Sequence, residues 1–243
     1  MQAARITAVL FDAGNTLLHL DYEFIAGVLA AHGYPFSRLD IRIAEYTAKA
    51  VIDRTLAPAA VFADVEGLLW PAEGVARPSY FGTILHQLGI PAATQAAISA
   101  ALQAHNEADC LWRVVDPETP SILEALRQRG FTLAVISNAD GRVEADLERR
   151  GLREYFATVI DSHVVGVEKP DPAIFALALD RVQAAADAAV YVGDVWSIDV
   201  LGARKAGLHA ILVDTLSRYR IAVDCPRITR LAELLDVLPT RAA

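Results

Sequence analysis

The sequence predicts an α/β fold, in which a parallel β-sheet is covered by helices and a second, all-helical domain is inserted near the N-terminus. Two patterns support this prediction. In the C-terminal half, short apolar segments alternate with amphipathic segments of helical periodicity, as expected for parallel strands joined by crossover helices. Between Asp21 and Ala108, the apolar residues recur at helical spacing and no strand pattern is found.

Five short apolar segments are predicted strands, because buried parallel strands consist of continuous β-branched and aliphatic residues. They cover about residues 6–11, 132–136, 158–160, 190–192 and 210–213. Helices are predicted over about residues 121–128, 143–150, 172–181, 197–205 and 230–237. This alternation implies right-handed crossovers and a sheet that is covered on both faces.

Four groups of apolar residues predict four helices in the inserted segment. The groups are Phe24, Val28 and Leu29; Ile43, Tyr46, Val51 and Ile52; Phe81, Ile84 and Leu85; and Ile98 and Leu102. We therefore expect a helical domain over residues 19–112 and a core formed by residues 1–18 and 113–243, with hinges near residues 18–20 and 111–115. Trp70, Tyr80 and Phe81 could line a substrate pocket, although aromatic side chains more commonly pack between helices.

The composition indicates a globular protein and limits its partners. Of the 243 residues, 54% are hydrophobic and 21% are charged, which allows a sizeable core and argues against disorder. The net charge of −8 disfavours nucleic-acid binding, which needs a basic surface. No apolar run approaches the ~20 residues that cross a bilayer, and Cys110 and Cys225 lie too far apart for a metal motif or a disulfide framework. We expect a cytoplasmic protein without a signal peptide or a membrane segment.

Polar side chains follow the predicted strands at their carboxyl ends. They are Asp12 after the first strand, Ser137 and Asn138 after the second, Lys169 in the loop before the helix at residue 172, and Asp194 and Asp199 after the strand at 190–192. Ligands of open α/β sheets bind beyond the carboxyl ends of the strands. We therefore expect one site with three carboxylates, a hydroxyl and an ammonium. Lys169 is notable because the chain has three lysines and otherwise uses arginine as its cation.

This set of side chains suits the chemistry of phosphate. Mg²⁺ takes one or two carboxylates together with water and substrate oxygens, and a lysine supplies a point charge for a phosphoryl group. An aspartate can attack phosphorus and form an aspartyl-phosphate, which divides one difficult step into two. The metal ion and the lysine would offset the repulsion among the carboxylates.

Four motifs, in this order, resemble those of the haloacid dehalogenase-like hydrolase superfamily, in its branch with a helical cap inserted after the first strand. They are Phe11–Leu17, Val135–Asn138, Lys169-Pro170, and Gly193-Asp194 through Asp199. The resemblance covers nearly the whole chain and implies a Rossmann-like core with an inserted α-helical cap. It also implies a phosphatase that acts on a small phosphorylated metabolite with Mg²⁺ as its cofactor and closes its helical cap over the site.

The resemblance assigns a role to each site residue. The implied catalytic residues are Asp12, which takes the place of the nucleophile, and Lys169, whose charge serves both the nucleophile and the phosphoryl group. The implied ligands of Mg²⁺ are Asp12, the Gly14 carbonyl and Asp194; the implied phosphate-binding residues are Ser137, Asn138 and Lys169; the implied supporting residues are Asp199 and Thr16.

Gly14 departs from the family pattern. Most phosphatases of the superfamily carry an aspartate at this position, which protonates the leaving group and then activates water. Glycine keeps the backbone carbonyl but lacks the acid. Since a positioned general acid or base contributes ~10²–10⁴-fold, the resemblance implies an intact metal site with weakened activity.

Several of these residues also have structural interpretations. Ser137 could cap a helix, and Asp199 lies in the first turn of a predicted helix, where the helix dipole favours any acid. Lys169 could be a solvated loop cation. Asp171, which precedes Pro172, is interpreted only as a helix N-cap.

Two other functions are compatible with the sequence. Dehalogenases of the superfamily also lack an acid at the Gly14 position, so the same aspartate could hydrolyse the carbon–halogen bond of 2-haloacids. Those enzymes need no metal, whereas Gly193-Asp194 resembles a metal site. The third hypothesis is a non-catalytic regulatory module that binds phosphate. The oligomeric state is left open, because the sequence carries no signal for it.

Overall fold

The computed structural model describes residues 6–57, 79–219 and 223–238. The chain forms two compact units. The core unit comprises Met1–His19, Arg113–Ser217 and Val223–Ala243, and the helical unit comprises Leu20–Trp112 and Arg218–Ala222. Trp70, one of the three aromatic residues considered for a pocket, lies outside the described residues.

The core unit is built on a six-stranded parallel sheet. The strands of the described residues are β1 (Ala8–Phe11), β2 (His19–Leu20), β3 (Trp112–Val114), β4 (Thr132–Ser137), β5 (Thr158–Asp161), β6 (Ala189–Gly193), β7 (His209–Val213) and β8 (Arg227–Ile228). Six of them form the sheet in the order β5-β4-β1-β6-β7-β8, and every pairing is parallel. The predicted α/β class is therefore confirmed.

The register of the central strands brings their carboxyl ends to one edge of the sheet. Phe11, the last residue of β1, is paired with Val135 of β4 on one side and with Val192 of β6 on the other. All residues of β1 and β6 are buried, which explains their continuous apolar sequence. The polar residues that follow these strands, beginning with Asp12, therefore lie at the same edge.

The main helices of the core unit agree with the predicted segments to within a few residues. The helices are α5 (Thr119–Gln128), α6 (Val143–Arg149), α7 (Ser162–Val165), α8 (Pro172–Val182), α9 (Leu201–Lys205) and α10 (Leu234–Val237). α8 begins as predicted, because the Asp171 carboxylate accepts a hydrogen bond from the Ala173 N–H and Pro172 occupies the first turn. The sequence pattern misses α7, which is too short to show a helical period.

The structure differs from the predictions in three local details. The helix predicted over residues 197–205 begins with a π-helical turn, Trp196–Val200, before α9. The segment 230–237 begins as a 3₁₀ turn, Leu231–Glu233, and only then becomes α10. The strand β8 has no counterpart among the predicted strands, because two residues at the margin of a sheet show no pattern of alternation.

The helical unit contains the four predicted helices. They are α1 (Tyr22–Ala31), α2 (Arg38–Leu56), α3 (Tyr80–Gln87) and α4 (Ala92–Ala108). α2 begins with a capping box: the Asp40 carboxylate accepts a hydrogen bond from the Ser37 N–H, and the Ser37 hydroxyl accepts one from the Asp40 N–H. Aliphatic side chains from all four helices form a core of their own, including Ile25, Ile41, Ile84 and Leu102. Among the described helices, none is both long and apolar enough to cross a membrane.

Tyr80 and Phe81 pack inside the helical unit. Their ring centroids lie 5.7 Å apart, and they lie 5.9 and 5.8 Å from the ring of Trp112. The Tyr80 hydroxyl also donates a hydrogen bond to the buried Glu45 carboxylate, which accepts a second one from Tyr22. These two aromatic side chains therefore serve packing, the more common of the two uses considered for them.

Strands β2 and β3 form a separate two-stranded sheet. They occupy residues 19–20 and 112–114. They lie at two of the four points where the chain passes from one unit to the other; the remaining two bound the short segment Arg218–Ala222. The hinges predicted near residues 18–20 and 111–115 therefore fall on short strands with a defined partner.

Candidate active site

Asp12 lies directly after β1, and only 8% of its surface is exposed. Its backbone N–H donates to the Val192 carbonyl at 2.8 Å, which ties the residue to β6. The chain then turns back, since the Asn15 N–H donates to the Leu18 carbonyl at 2.7 Å. Asn15 has a φ of 52°, a left-handed conformation that asparagine adopts more readily than most residues. Strand pairing and turn together fix the Asp12 carboxylate at the sheet edge.

The Lys169 ammonium is surrounded by three acceptors. Its Nζ lies 2.6 Å from Asp12 Oδ1, 2.8 Å from Asp199 Oδ1 and 2.8 Å from the hydroxyl oxygen of Tyr191. Because an ammonium has three hydrogens to donate, each hydrogen has one acceptor. Lys169 is only 3% exposed, so the interpretation of Lys169 as a solvated loop cation is wrong.

Asn138 holds the loop that carries Lys169. Its side-chain Nδ2 donates to the Lys169 carbonyl, and its Oδ1 accepts from the Lys169 N–H, both at 2.8 Å. This pair of bonds joins the end of β4 to the segment before α8. The bonds favour a positioning role for the Asn138 side chain, and its binding of a phosphoryl group stays a prediction.

Ser137 is the last residue of β4 and lies at the same edge, 6% exposed. The alternative that it caps a helix is wrong, because α6 begins at Val143 and its N-cap is Arg142. The loop between them is held by Asp161, whose carboxylate accepts hydrogen bonds from the N–H groups of Gly141 and Val143 at 3.0 and 3.3 Å. Asp161 therefore shapes the loop after Ser137, a function that the sequence pattern does not reveal.

Asp199 extends from the π-helical turn back onto the end of β6. Its Oδ1 accepts from Lys169 Nζ, and its Oδ2 accepts from the Val195 N–H, both at 2.8 Å. The residue is 1% exposed, and both of its oxygens are engaged. These bonds explain an acid at this position more directly than the helix dipole does, and they fit a supporting role.

Gly193 leaves the space that Asp199 occupies. A Cβ atom at Gly193 would lie 2.6 Å from the Asp199 Cβ and closer still to its Cγ, well inside van der Waals contact. We expect Gly193→Ala to push the Asp199 carboxylate away from Lys169 and to lower the free energy of unfolding by about 3 kcal/mol. Urea denaturation measures the loss, with Gly27→Ala as the control, because a Cβ there meets nothing within 4 Å. Unchanged stability in Gly193→Ala would contradict this close packing.

Asp12, Asp194 and Asp199 form a buried cluster, in which one oxygen of each carboxylate lies within 4.8 Å of the others. Three carboxylates and the single ammonium of Lys169 have a formal charge of −2 when all are ionised. Uncompensated buried charge is costly, and a divalent cation that prefers carboxylate ligands would balance it. Because both oxygens of Asp199 are engaged, Asp12 and Asp194 are the carboxylates best placed to hold such an ion.

Burial raises the pKa of Asp12 from 3.8 to about 7; the Lys169 ammonium opposes this rise, and the carboxylates of Asp199 and Asp194 add to it. Burial also raises the pKa of Asp199. Burial disfavours the Lys169 ammonium, but the charges of Asp12 and Asp199 outweigh it and raise the pKa of that lysine. Lys169 therefore stays charged, whereas Asp12 without a bound cation takes up a proton near neutral pH.

Thr16 is fully buried in the turn after β1. No described residue forms a hydrogen bond with its hydroxyl. The residue instead lines a cavity of about 60 Å³ together with His19, Thr119 and Val213. Its supporting role in the site stays a prediction.

Tyr191 is the site residue that the sequence analysis misses. It lies in β6, is completely buried, and places its hydroxyl against Lys169 Nζ. The sequence does contain a signal for the position of Tyr191 near the site. Tyr191 is two residues before Gly193, which belongs to the fourth motif, so both residues lie on the same face of the strand. A buried tyrosine usually has a partner for its hydroxyl, so a tyrosine within an aliphatic strand indicates a polar centre beside that face.

Comparison with known proteins identifies a family. The family model for haloacid dehalogenase-like hydrolases matches residues 6–207. Haloacid dehalogenase-like hydrolase domain-containing protein 3 from Bos taurus is 39% identical over 129 residues, which are 53% of this chain and 51% of the relative. The chain therefore spans about half the length of that relative.

Two further proteins are similar along nearly the whole chain. A glyceraldehyde 3-phosphate phosphatase from Methanopyrus kandleri is 29% identical over 244 residues, which cover 96% of this chain and 97% of the relative. The crystal structure of a 2-haloacid dehalogenase from Pseudomonas syringae pv. Tomato DC3000 is 26% identical, with a TM-score of 0.54, and the match covers 96% of this chain and 98% of that one. Because the family model covers most of the sequence, the chain belongs to the haloacid dehalogenase-like hydrolases.

Proposed function

We propose that this protein is a Mg²⁺-dependent phosphatase that hydrolyses a small phosphorylated metabolite through an aspartyl-phosphate. The observation that carries the proposal is the excess of buried carboxylates, three against one ammonium. A divalent cation balances this charge and also attracts an anionic phosphate. The similarity to a glyceraldehyde 3-phosphate phosphatase along the whole chain supports a substrate of this class.

Asp12 is the proposed nucleophile. One of its oxygens attacks phosphorus, the bond from phosphorus to the leaving oxygen breaks, and that oxygen takes a proton from water. Water then attacks the aspartyl-phosphate at phosphorus, and the bond from phosphorus to the Asp12 oxygen breaks, which restores the carboxylate. One proton of that water leaves on the hydrogen phosphate, and the other neutralises the hydroxide left by the first step. Asp12, Asp194 and the Gly14 carbonyl would hold Mg²⁺, which when bound supplies positive charge for the phosphoryl oxygens. Asp199 and Thr16 would support these groups.

Ser137, Asn138 and Lys169 are the proposed phosphate-binding residues. Ser137 offers a hydroxyl at the sheet edge. Asn138 donates one amide hydrogen to the Lys169 carbonyl and keeps the second for the phosphoryl group. The three hydrogens of the Lys169 ammonium are donated within the protein, so Lys169 attracts the phosphoryl group through its charge.

Gly14→Asp tests whether the missing acid limits the reaction. We expect the variant to increase kcat by ~10–100-fold for alkyl phosphates, whose poor leaving groups need a proton, and to change it little for an aryl phosphate with a good leaving group. Gly14→Asn is the matched control, since its side chain has the same shape and does not titrate. An equal gain with Asn, or no gain with Asp, would show that proton donation at this position does not limit turnover.

A panel of phosphomonoesters, assayed for released phosphate with and without Mg²⁺, tests the proposed function. Glyceraldehyde 3-phosphate belongs in the panel because of the relative that carries its name. We expect at least one ester to be hydrolysed in a reaction that requires both Mg²⁺ and the Asp12 carboxylate. Equal turnover by Asp12→Asn would refute the assignment of the nucleophile.

Hydrolysis of 2-haloacids is the second candidate function. Gly14 and the similarity to a 2-haloacid dehalogenase structure favour it, and the surplus carboxylate charge argues against it. Release of halide from 2-haloacids without Mg²⁺ would reverse the order of the two proposals. Binding of Mg²⁺ and phosphate without turnover of any ester or haloacid would instead indicate a regulatory module.

A further inference from the structure

We propose that Tyr191 is a positioning residue, which holds the Lys169 ammonium beside the proposed nucleophile Asp12. The inference rests on the proposed function and deepens it, because it explains how the lysine of that site keeps its position. The Tyr191 hydroxyl oxygen lies 2.8 Å from Lys169 Nζ. Both residues are at least nine-tenths buried, so water does not compete for this bond.

Lys169 is the donor in this bond, because an ammonium has no acceptor, and a second bond of the same hydroxyl agrees with this direction. Tyr191 donates its single hydroxyl hydrogen to the Ile136 carbonyl at 2.9 Å, so toward Lys169 its oxygen is an acceptor. Tyr191 belongs to β6 and Ile136 to β4, and β1 lies between these strands. The Tyr191 side chain therefore extends across β1. Its bond to the backbone of β4 holds the hydroxyl oxygen in the position where it accepts from Lys169.

A neutral acceptor matters at this position because the other two acceptors of Lys169, Asp12 and Asp199, are carboxylates. A further carboxylate would add to an already excessive negative charge. Burial, together with the charges of Asp199 and Asp12, raises the pKa of the Tyr191 hydroxyl well above its usual value. The phenol therefore stays neutral and fixes the third hydrogen of the ammonium without adding charge.

Packing holds the ring of Tyr191 independently of its hydroxyl. Phe175 contacts it edge to face, with ring centroids 5.1 Å apart and planes at 77°. Tyr191→Phe therefore keeps the ring in place and removes the hydroxyl, with both its bond from Lys169 and its bond to the Ile136 carbonyl. Without that acceptor, one N–H of Lys169 is left unbonded, and the ammonium is free to turn away from Asp12.

We expect Tyr191→Phe to lower kcat on the order of 10-fold, as for one hydrogen bond to a charged group, with a change in KM of less than about twofold. Tyr155→Phe is the control, because the Tyr155 ring lies beneath the guanidinium of Arg127 in the same unit and should leave both constants unchanged. Thermal midpoints of both variants are measured in parallel. In a protein that already carries Lys169→Met, Tyr191→Phe should cause no further loss of the residual rate, because the ammonium that the Tyr191 hydroxyl positions is absent.

An unchanged kcat in Tyr191→Phe, or an equal loss with and without Lys169, would overturn the proposal. If Lys169→Met does not fold, the kinetic constants of Tyr191→Phe alone decide. A loss of kcat without a rise in KM would support the proposal, whereas a parallel rise in KM would indicate a distorted site and overturn it. A wild-type protein that hydrolyses no phosphomonoester refutes the proposed function instead. The positioning of Lys169 is then tested by ¹⁵N NMR of its ammonium, whose hydrogens should exchange faster in Tyr191→Phe; unchanged exchange would overturn the inference alone.

Discussion

Asp12→Asn is expected to reduce phosphomonoester hydrolysis by ~10⁴-fold or more. The amide has the shape of the carboxylate and keeps an oxygen that accepts from Lys169, whose Nζ lies 2.6 Å from Asp12 Oδ1, but it does not attack phosphorus. Phosphate release over a range of Mg²⁺ concentrations measures the loss. Asp171→Asn is the control, since it preserves the N-cap of α8 and should keep full activity. Comparable turnover by the two variants would contradict the mechanism.

The same variant should change how stability depends on pH in the metal-free protein. The pKa of Asp12 rises from 3.8 to about 7 on folding, so between these values the folded protein keeps a proton that the unfolded chain has released. The stabilisation is fully present below about pH 4 and is lost as the pH rises through about 7. In EDTA, we expect the thermal midpoint of the wild type to fall more steeply over this interval than that of Asp12→Asn. Identical slopes would contradict the assignment.

Asp194→Asn is expected to weaken Mg²⁺ binding on the order of 100-fold and to make turnover depend on high Mg²⁺. Asp194 is 3% exposed and belongs to the carboxylate cluster, so its charge acts on the ion with little screening. Titration calorimetry with Mg²⁺ measures the affinity. Asp187→Asn, which changes an exposed acid just before β6, is the matched control.

Two outcomes would contradict this prediction in different ways. Unaltered Mg²⁺ affinity in Asp194→Asn, combined with lost turnover, would show that Asp194 is not a ligand but contributes otherwise to the reaction. Full activity of the wild type in EDTA would show that the reaction needs no divalent ion. In that case, the surplus charge of the cluster must be balanced by protons, and the pKa of Asp12 already lies in the range where this occurs.

The sheet and the position of the site follow from the sequence because both depend on strand ends. Continuous apolar segments predict buried parallel strands, and the polar residues next along the chain must then lie at one edge. This reasoning places Asp12, Ser137 and Asp194 together without a structure. The helical unit is equally predictable, because its apolar residues recur at a single period.

The contacts within the site are less predictable, because they depend on turns and on side chains from distant strands. The π-helical turn that brings Asp199 to Lys169 has no sequence period of its own. The bonds of Asn138 to the Lys169 backbone require a loop geometry that residue types do not specify. Tyr191 looks like a strand residue until its neighbours across the sheet are known.

The central position of β1 has a consequence for synthesis of the chain. Among the described strands, β1 is synthesised before its partners β4 and β6, which lie more than a hundred residues later. Lys169 is 157 positions away from Asp12, to which it donates. Contacts so distant in sequence form slowly and only after the intervening segments have been made. A nascent chain that ends before β6 therefore has neither the complete sheet nor the carboxylate cluster. Both can form only after the segment through Asp199 has been synthesised.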